Sequence, residues 1–300
     1  MRKAALVLSA LVVSLLVPST AHAWGANAHR YIMRRAIEML PSSIRPFFEA
    51  HRDELIMRVV DPDLWRTLGW DEDPNHFLDF GVREYGDYPF AALPRDYDGA
   101  VTKFGVATLK KNGLLPWRLE EEFGNLRRAM AGNGRGSGFP AGNVVLFTAV
   151  AAHYIQDGTQ PLHAIDNYDG AMTQQNGIHS RFESALFERF ESRLTVAPPP
   201  IRPIVNPRDA AFETLLSGNR LVPAILAADK AAVAGGQFYD DDYFEKFFGG
   251  VKGLLEQRLA ESISATASLI VGAWEQAGRP DLTTPPAARQ PQRVGGRGGL

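Results

Sequence analysis

The 300-residue sequence contains no cysteine. This absence excludes disulfide bonds, thiolate metal ligands, cysteine nucleophiles and lipid attachment through cysteine. The chain must therefore be stabilised by its apolar core and by any metal that its other side chains bind.

Strand signals and excess charge are also lacking. We find no sustained alternation of apolar and polar residues, and no Asn-Gly or Asp-Gly turn between two apolar runs. The formal net charge of −2 provides no bulk attraction to nucleic acid or to anionic lipid. Helical periodicity dominates instead, so we expect an all-α protein with a single multi-helix domain.

The first 23 residues have the pattern of a secretory signal peptide. Arg2 and Lys3 precede an apolar run over residues 4–17, and Ala21-His22-Ala23 is a small-x-small cleavage site. The run is short for a bilayer span, so we expect no stable membrane anchor. The sequence thus predicts an exported protein, periplasmic or secreted, with a signal at 1–23, a domain at 24–278 and a disordered tail at 279–300.

Helices are predicted from apolar spacing and from breakers. Asn27 is the expected N-cap of the first helix, which Pro41 ends. The segment 144–156 is apolar nearly all round, which indicates a buried central helix. Irregular connectors are expected at 132–142 and 197–207. The other predicted helices cover residues 44–59, 104–130, 178–194, 209–216, 221–234, 239–248 and 254–274.

Histidines and carboxylates recur in pairs within a short part of the chain. His153 and Asp157 are four residues apart, on one face of the central helix. His179 and Glu183 repeat that spacing, and His163 lies between the two pairs. A single pair is as easily explained by a hydrogen bond in the core or by a solvated helix face. Two pairs with an intervening histidine favour a metal site.

Two further stretches supply the same residue types earlier in the chain. Asp61-Pro-Asp63 precedes Leu-Trp-Arg66, and His76 follows in Asn75-His76-Phe-Leu-Asp79. Imidazole and carboxylate without thiol suit zinc or a similar divalent ion. These histidines exceed the needs of one ion, so the sequence predicts two or more metals. His51 fits no pattern and is assigned to the surface.

These residues resemble the superfamily of zinc-dependent phospholipases C and single-strand-specific zinc nucleases, which is all-helical. The shared pattern is a mature N-terminal Trp, a nearby His, an Asp, a His, then HxxxDxxxxxH and HxxxE or HxxxD. It occurs here in order, over slightly more than half the chain: Trp24, His29, Asp63 or Asp61, His76, His153, Asp157, His163, His179 and Glu183.

The resemblance implies about three zinc ions per chain. The first would be bound by Asp63, His76, His153 and Asp157, and the second by His163, His179 and Glu183. The third would be bound by His29 and by the α-amino nitrogen and carbonyl oxygen of Trp24, with Asp157 bridging to the first. Hydrolysis by metal-bound hydroxide is the implied reaction, in which Asp63 has the additional role of steering or deprotonating the water.

The implied substrate is a phosphodiester, either a phospholipid or a single-stranded nucleic acid. The WGANAH stretch resembles the nucleases, whereas QPLHAIDNYDG and Glu183 resemble the phospholipases C. The nucleases usually carry disulfides, so a phospholipase C-like activity is slightly favoured. Fold analogy alone does not establish an activity. The non-enzyme alternative is therefore an exported metal-binding protein without catalytic activity.

Overall fold

The computed structural model describes residues 24–132, 141–233 and 239–282. The predicted signal, most of the predicted connector 132–142 and most of the predicted tail lie outside these ranges. Within them the chain is helical and contains no strand, as predicted. The α-helices are α1 Ala26–Met39, α2 Arg45–Ala50, α3 Arg52–Arg58, α4 Asp61–Thr67, α5 Tyr97–Phe104, α6 Val106–Asn112, α7 Leu115–Gly132, α8 Ala141–Thr159, α9 Ile178–Ser180, α10 Leu186–Phe190, α11 Pro207–Asn219, α12 Val222–Val233 and α13 Asp241–Gln276.

Shorter helical turns connect these elements. A π-helix, Arg181–Ala185, joins α9 to α10. The 3₁₀ helices are Asp73–His76, Arg83–Tyr85, Pro161–Ala164, Ala171–Thr173 and Glu191–Arg193. None of the described helices has both the length and the apolar character needed to cross a bilayer.

Helix α8 lies at the centre of the fold. From Thr148 to Thr159 every side chain is buried, because α3, α7, α11 and α13 pack around this helix. A helix that is apolar on all sides gains stability only when neighbours cover all of it, so the predicted buried position follows from its sequence. The candidate ligands His153 and Asp157 are thereby held inside the core.

Several helix boundaries differ from the prediction. Asn27 is not the N-cap of α1. Gly25 occupies that position, and the Asn27 amide donates to Glu188 Oε1 at 3.0 Å. The helix predicted over 44–59 is two helices, with His51 between them. The helix predicted over 104–130 is interrupted at Gly105 and Gly113, whose φ angles of +77° and +100° favour glycine.

At the C-terminal end the prediction is wrong in the opposite direction, because it divides one helix into two. The two helices predicted over 239–248 and 254–274 form one 36-residue helix, α13. Gly250 does not interrupt it but lets α12 approach, because a Cβ there would lie 3.0 Å from Ala228 Cβ. Beyond α13, Leu282 is buried in the core, within the first residues of the segment predicted as a tail.

Candidate metal centre

Three buried groups of histidine and carboxylate side chains converge around the C-terminal half of α8. Each could hold a metal ion, since its potential ligand atoms lie within 4.8 Å of one another. We call them the first cluster (Asp63, His76 and His153, with Asp157), the second cluster (His163, His179 and Glu183) and the third cluster (His29 and Asp157, beside His153). The structure thus brings together all eight predicted ligand side chains.

The first cluster has the dimensions of a tetrahedral site. His76 Nδ1 lies 3.0 Å from both Asp157 Oδ2 and His153 Nε2, which are 3.2 Å apart. Asp63 Oδ1 lies 3.8 Å from His76 Nδ1 and 3.9 Å from His153 Nε2. Ligands bound tetrahedrally to zinc are about 3.3 Å apart, because each bond is about 2.0–2.1 Å long. The four side chains therefore fit one such ion.

The second cluster is formed by a local distortion of the helix. His179 lies on α9 and Glu183 lies in the π-helix that follows. His179 Nε2 is 2.8 Å from Glu183 Oε2 and 3.1 Å from His163 Nε2, and the His163 and Glu183 atoms are 4.0 Å apart. Single π turns recur at functional sites. Nothing in the sequence pattern predicted this one.

The third cluster depends on the second oxygen of Asp157. His29 Nε2 lies 3.3 Å from Asp157 Oδ1, and neither atom has a hydrogen-bond partner among the described residues. His29 Nδ1 donates to Gln156 Oε1 at 2.6 Å, which leaves Nε2 as an acceptor in the neutral ring. Two buried acceptors that face each other need a proton or a metal ion between them, so this pair also fits a metal.

Hydrogen bonds to the outer ring nitrogens orient two further histidines. His153 Nδ1 donates to the Val59 carbonyl at 2.8 Å, and His163 Nδ1 donates to the His76 carbonyl at 2.6 Å. A carbonyl can only accept, so the proton stays on Nδ1 and Nε2 is left facing the cluster. Such outer contacts fix the tautomer and orientation of metal-binding imidazoles.

Trp24 lies beside the same end of α8. Its indole is fully buried and donates to Thr159 Oγ1 at 3.0 Å, two residues beyond Asp157. The next residue, Gly25, packs closely against Ser184, because a Cβ at Gly25 would come within 2.4 Å of Ser184 Oγ. The indole nitrogen is thus engaged by a hydroxyl, and only backbone atoms of Trp24 are left to bind a metal.

The two aspartates of the Asp61-Pro-Asp63 triplet have different surroundings. Asp63 is 3% exposed and belongs to the first cluster. Asp61 lies outside the clusters and accepts from Arg58 Nε at 3.1 Å. His51 is also outside, with its ring 4.8 Å from that of Phe47.

Replacing Asp63 with asparagine should therefore be far more damaging than the same change at Asp61. The Asp63 variant should lose metal from the first cluster, whereas the Asp61 variant should lose only a half-exposed ion pair. The zinc content of the two variants and their turnover of a phosphodiester, measured side by side, test the assignment of Asp63 as the ligand. If the Asp61 variant loses the metal instead, Asp61 is the ligand.

Adding one residue before Trp24 should weaken metal binding at the third cluster. The α-amine would become an amide nitrogen, whose lone pair is delocalised and cannot bind a metal. A Trp24→Phe variant is the control, since it keeps the amine but loses the bond to Thr159 and part of the buried ring. Titration calorimetry measures the zinc affinity of the extended protein, the control variant and the native protein. Equal affinity in the extended and native forms would show that the N-terminus is not a ligand.

The protonation states differ between the clusters. Burial opposes charge on His153, but Asp157 and Asp63 raise the pKa of its imidazole to about 9. Burial lowers the pKa of His163 to about 3 and that of His179 to about 4. Burial also raises the pKa of Glu183 well above its usual range. At pH 7.5 the metal-free protein should thus have a positively charged imidazole at His153 and neutral imidazoles at His163 and His179.

Zinc binding should release the additional proton of His153. Metal ligands must be deprotonated, so we expect release of about one proton per chain at pH 7.5 and an affinity that rises with pH toward 9. Titration calorimetry in buffers of different ionisation enthalpy measures the number released. A binding enthalpy that does not change with buffer would contradict these protonation states.

A cleft of about 230 Å³ opens above the first and second clusters. The candidate ligands His76, His163 and His179 line it, together with Arg66, Asp73, Phe77, Asp79, Lys111, Leu162 and Tyr168. Burial and the neighbouring Asp166 raise the pKa of Asp79 to about 8, so this carboxyl can donate a hydrogen bond into the cleft at neutral pH. Sequence reasoning missed Lys111 and Tyr168, whose positions in the chain carry no spacing signal.

Comparison with known proteins finds no relative of this chain. No protein-family model matches the chain, and a search of curated proteins finds no match. The resemblance described above therefore depends on the ordered residues alone.

Proposed function

We propose that the chain is an exported zinc-dependent phosphodiesterase. The observation that carries the proposal is that the first and second clusters lie beneath one cleft, and that His76, His163 and His179 line that cleft. Structural zinc sites are closed by four protein ligands, whereas catalytic sites keep one position open to water or substrate. Ligand rings on the wall of a cleft favour the catalytic kind.

Zinc is the metal that the donor set favours. Each cluster combines imidazole nitrogen with carboxylate oxygen and contains no thiolate, and its ligand spacing suits tetrahedral coordination. Zinc bound there would bring the pKa of a coordinated water toward neutrality and would offset negative charge on a phosphodiester.

Side chains of the cleft would bind and orient the phosphate. Lys111 lies on its wall, where its ammonium would bind a phosphate oxygen. Arg66 lies on the same wall, and its Nη1 is 3.6 Å from Asp63 Oδ1. Asp63 therefore belongs to the first cluster and also contacts a residue of the cleft wall. In that position its carboxylate would orient the attacking water.

A phospholipid is the slightly favoured substrate. Leu64 and Leu68 are 52% and 65% exposed on or directly after α4, the helix that carries Arg66 into the cleft. Trp70 follows and is 58% exposed. Exposed apolar groups on and directly after the helix that carries Arg66 suit a substrate that is presented at a lipid surface.

Single-stranded nucleic acid is the second candidate. Phe77 and Tyr168 line the cleft beside Arg66 and Lys111. Aromatic rings next to cations are the usual means of binding unpaired bases along a phosphate backbone. A third candidate, a non-catalytic metal-binding protein, would hold the same ions but would leave every phosphodiester intact.

A substrate panel distinguishes the three candidates. The zinc-loaded protein is incubated with phosphatidylcholine vesicles, single-stranded DNA, RNA and a small soluble phosphodiester. A phospholipase C releases diacylglycerol, and a Leu64→Ser/Leu68→Ser variant should then be slower on vesicles but unchanged on the soluble ester. A nuclease cleaves the polynucleotides, and Phe77→Leu should then raise KM. If no substrate is turned over, the non-catalytic metal-binding protein is the only one of the three candidates that remains.

A further inference from the structure

Arg181 is a buried cation between two candidate metal ligands. It begins the π-helix, two residues after His179 and two before Glu183, and its side chain is about 9% exposed. Burying a guanidinium is costly unless it is paired and fully hydrogen-bonded. The chain provides that pairing through Asp229 on α12, whose Oδ1 accepts from Nη2 at 3.1 Å and from Nε at 3.3 Å.

The same guanidinium holds the loop that leads into α9. Its Nη1 donates to the Asn176 carbonyl at 2.7 Å, and its Nη2 donates to the Gln175 carbonyl at 3.1 Å. Gly177 follows these carbonyls with a φ of +81°, and a Cβ there would lie 3.0 Å from Arg181 Nη1. Glycine therefore provides both the left-handed turn and the space for the guanidinium.

Asp229 connects this arrangement to the last two helices. It is 1% exposed, and its Oδ2 accepts from Gln175 Nε2 at 2.6 Å. Tyr243 on α13 donates its hydroxyl to Asp229 Oδ1 and accepts from Arg181 Nε at 2.9 Å. Loop, π-helix, α12 and α13 are thus joined through one satisfied buried ion pair.

We propose that Arg181 and Asp229 are positioning residues for the second cluster. They fix the π turn that carries Glu183 and the loop that precedes His179, and so hold both ligands in place. The inference rests on the proposed metal-binding function.

Asp229→Asn is the direct test. The variant keeps the shape of the side chain but leaves Arg181 uncompensated. Zinc affinity at one of the three sites should fall about tenfold or more, the usual effect of losing an outer-shell partner. Elemental analysis and competition with a chromogenic chelator give the count and the affinity without reference to activity. If the variant does not fold, Tyr243→Phe removes one bond to the same carboxylate and should show a smaller weakening.

Two further proteins separate positioning from general instability. Leu255→Ala removes a buried side chain of α13 away from the pair and should keep all zinc affinities at a similar loss of melting temperature. The double variant Arg181→Met/Asp229→Leu removes both charges and should melt above either single variant, yet its second cluster should stay weakened. An Asp229→Asn protein with wild-type affinity at all three sites would overturn the inference. A wild-type protein that binds no zinc would instead overturn the proposed function.

Discussion

Replacing Asp157 with alanine should reduce phosphodiester turnover by about 10³-fold or more, because losing even one preorganised charge-stabilising group typically costs 10²–10³. Asp157 is the one carboxylate among the described residues whose two oxygens serve different clusters. Its Oδ2 lies 3.0 Å from His76 Nδ1, and its Oδ1 lies 3.3 Å from His29 Nε2. Its pKa is held well below the usual range, since His153, His29 and His76 outweigh the opposing effect of burial.

The same variant should also lose zinc from both the first and the third cluster. Glu122→Gln is the matched control, because Glu122 is a buried carboxylate paired with Arg118 at 3.0 Å and lies outside the clusters. Turnover and zinc content of the two variants are measured on protein of equal helical content. An Asp157 variant that keeps its zinc and a third of its turnover would show that the bridging role is wrong.

Removal of the metal should abolish turnover, and added zinc should restore it. The described residues contain no cysteine and show no serine–base pair in the cleft that could act as a nucleophile without metal. Turnover of a generic phosphodiester is measured after chelation and dialysis, and again after zinc is added back. Circular dichroism of the chelated protein serves as the control for unfolding. Full turnover in a verified metal-free sample would end the metal-dependent interpretation.

Much of the fold could be predicted because the sequence of α8 indicates that this helix is buried on all sides. Its apolar residues surround the helix, which fits only a central position, and this also fixes where His153 and Asp157 lie. Their four-residue spacing predicted one shared face, and His153 Nε2 lies 3.2 Å from Asp157 Oδ2. Local spacing was sufficient here because both ligands belong to one helix.

Contacts between distant segments were beyond such local reasoning. Asp63 and His76 reach His153 only when α4 and the 3₁₀ turn Asp73–His76 pack on α8. No periodicity encodes that approach, and only the ordered resemblance suggested it. The π turn at Glu183 and the ion pair of Arg181 with Asp229 had no sequence signal, because both depend on the packing of α12 and α13.

Glycines were the least reliable guide to helix ends. Gly105 and Gly113 end helices because the chain needs a positive φ at both positions. Gly250 and its neighbours lie within α13, where the missing side chain serves close packing against α12. Composition alone does not distinguish a turn that needs glycine from a helix contact that needs it.

The zinc content of the mature protein tests the account most directly. The protein is expressed with its predicted signal, so that the predicted cleavage would expose Trp24, and is purified gently in the presence of zinc. Elemental analysis after removal of free ion should give about three zinc ions per chain, one for each cluster. A value of one or none would contradict the account.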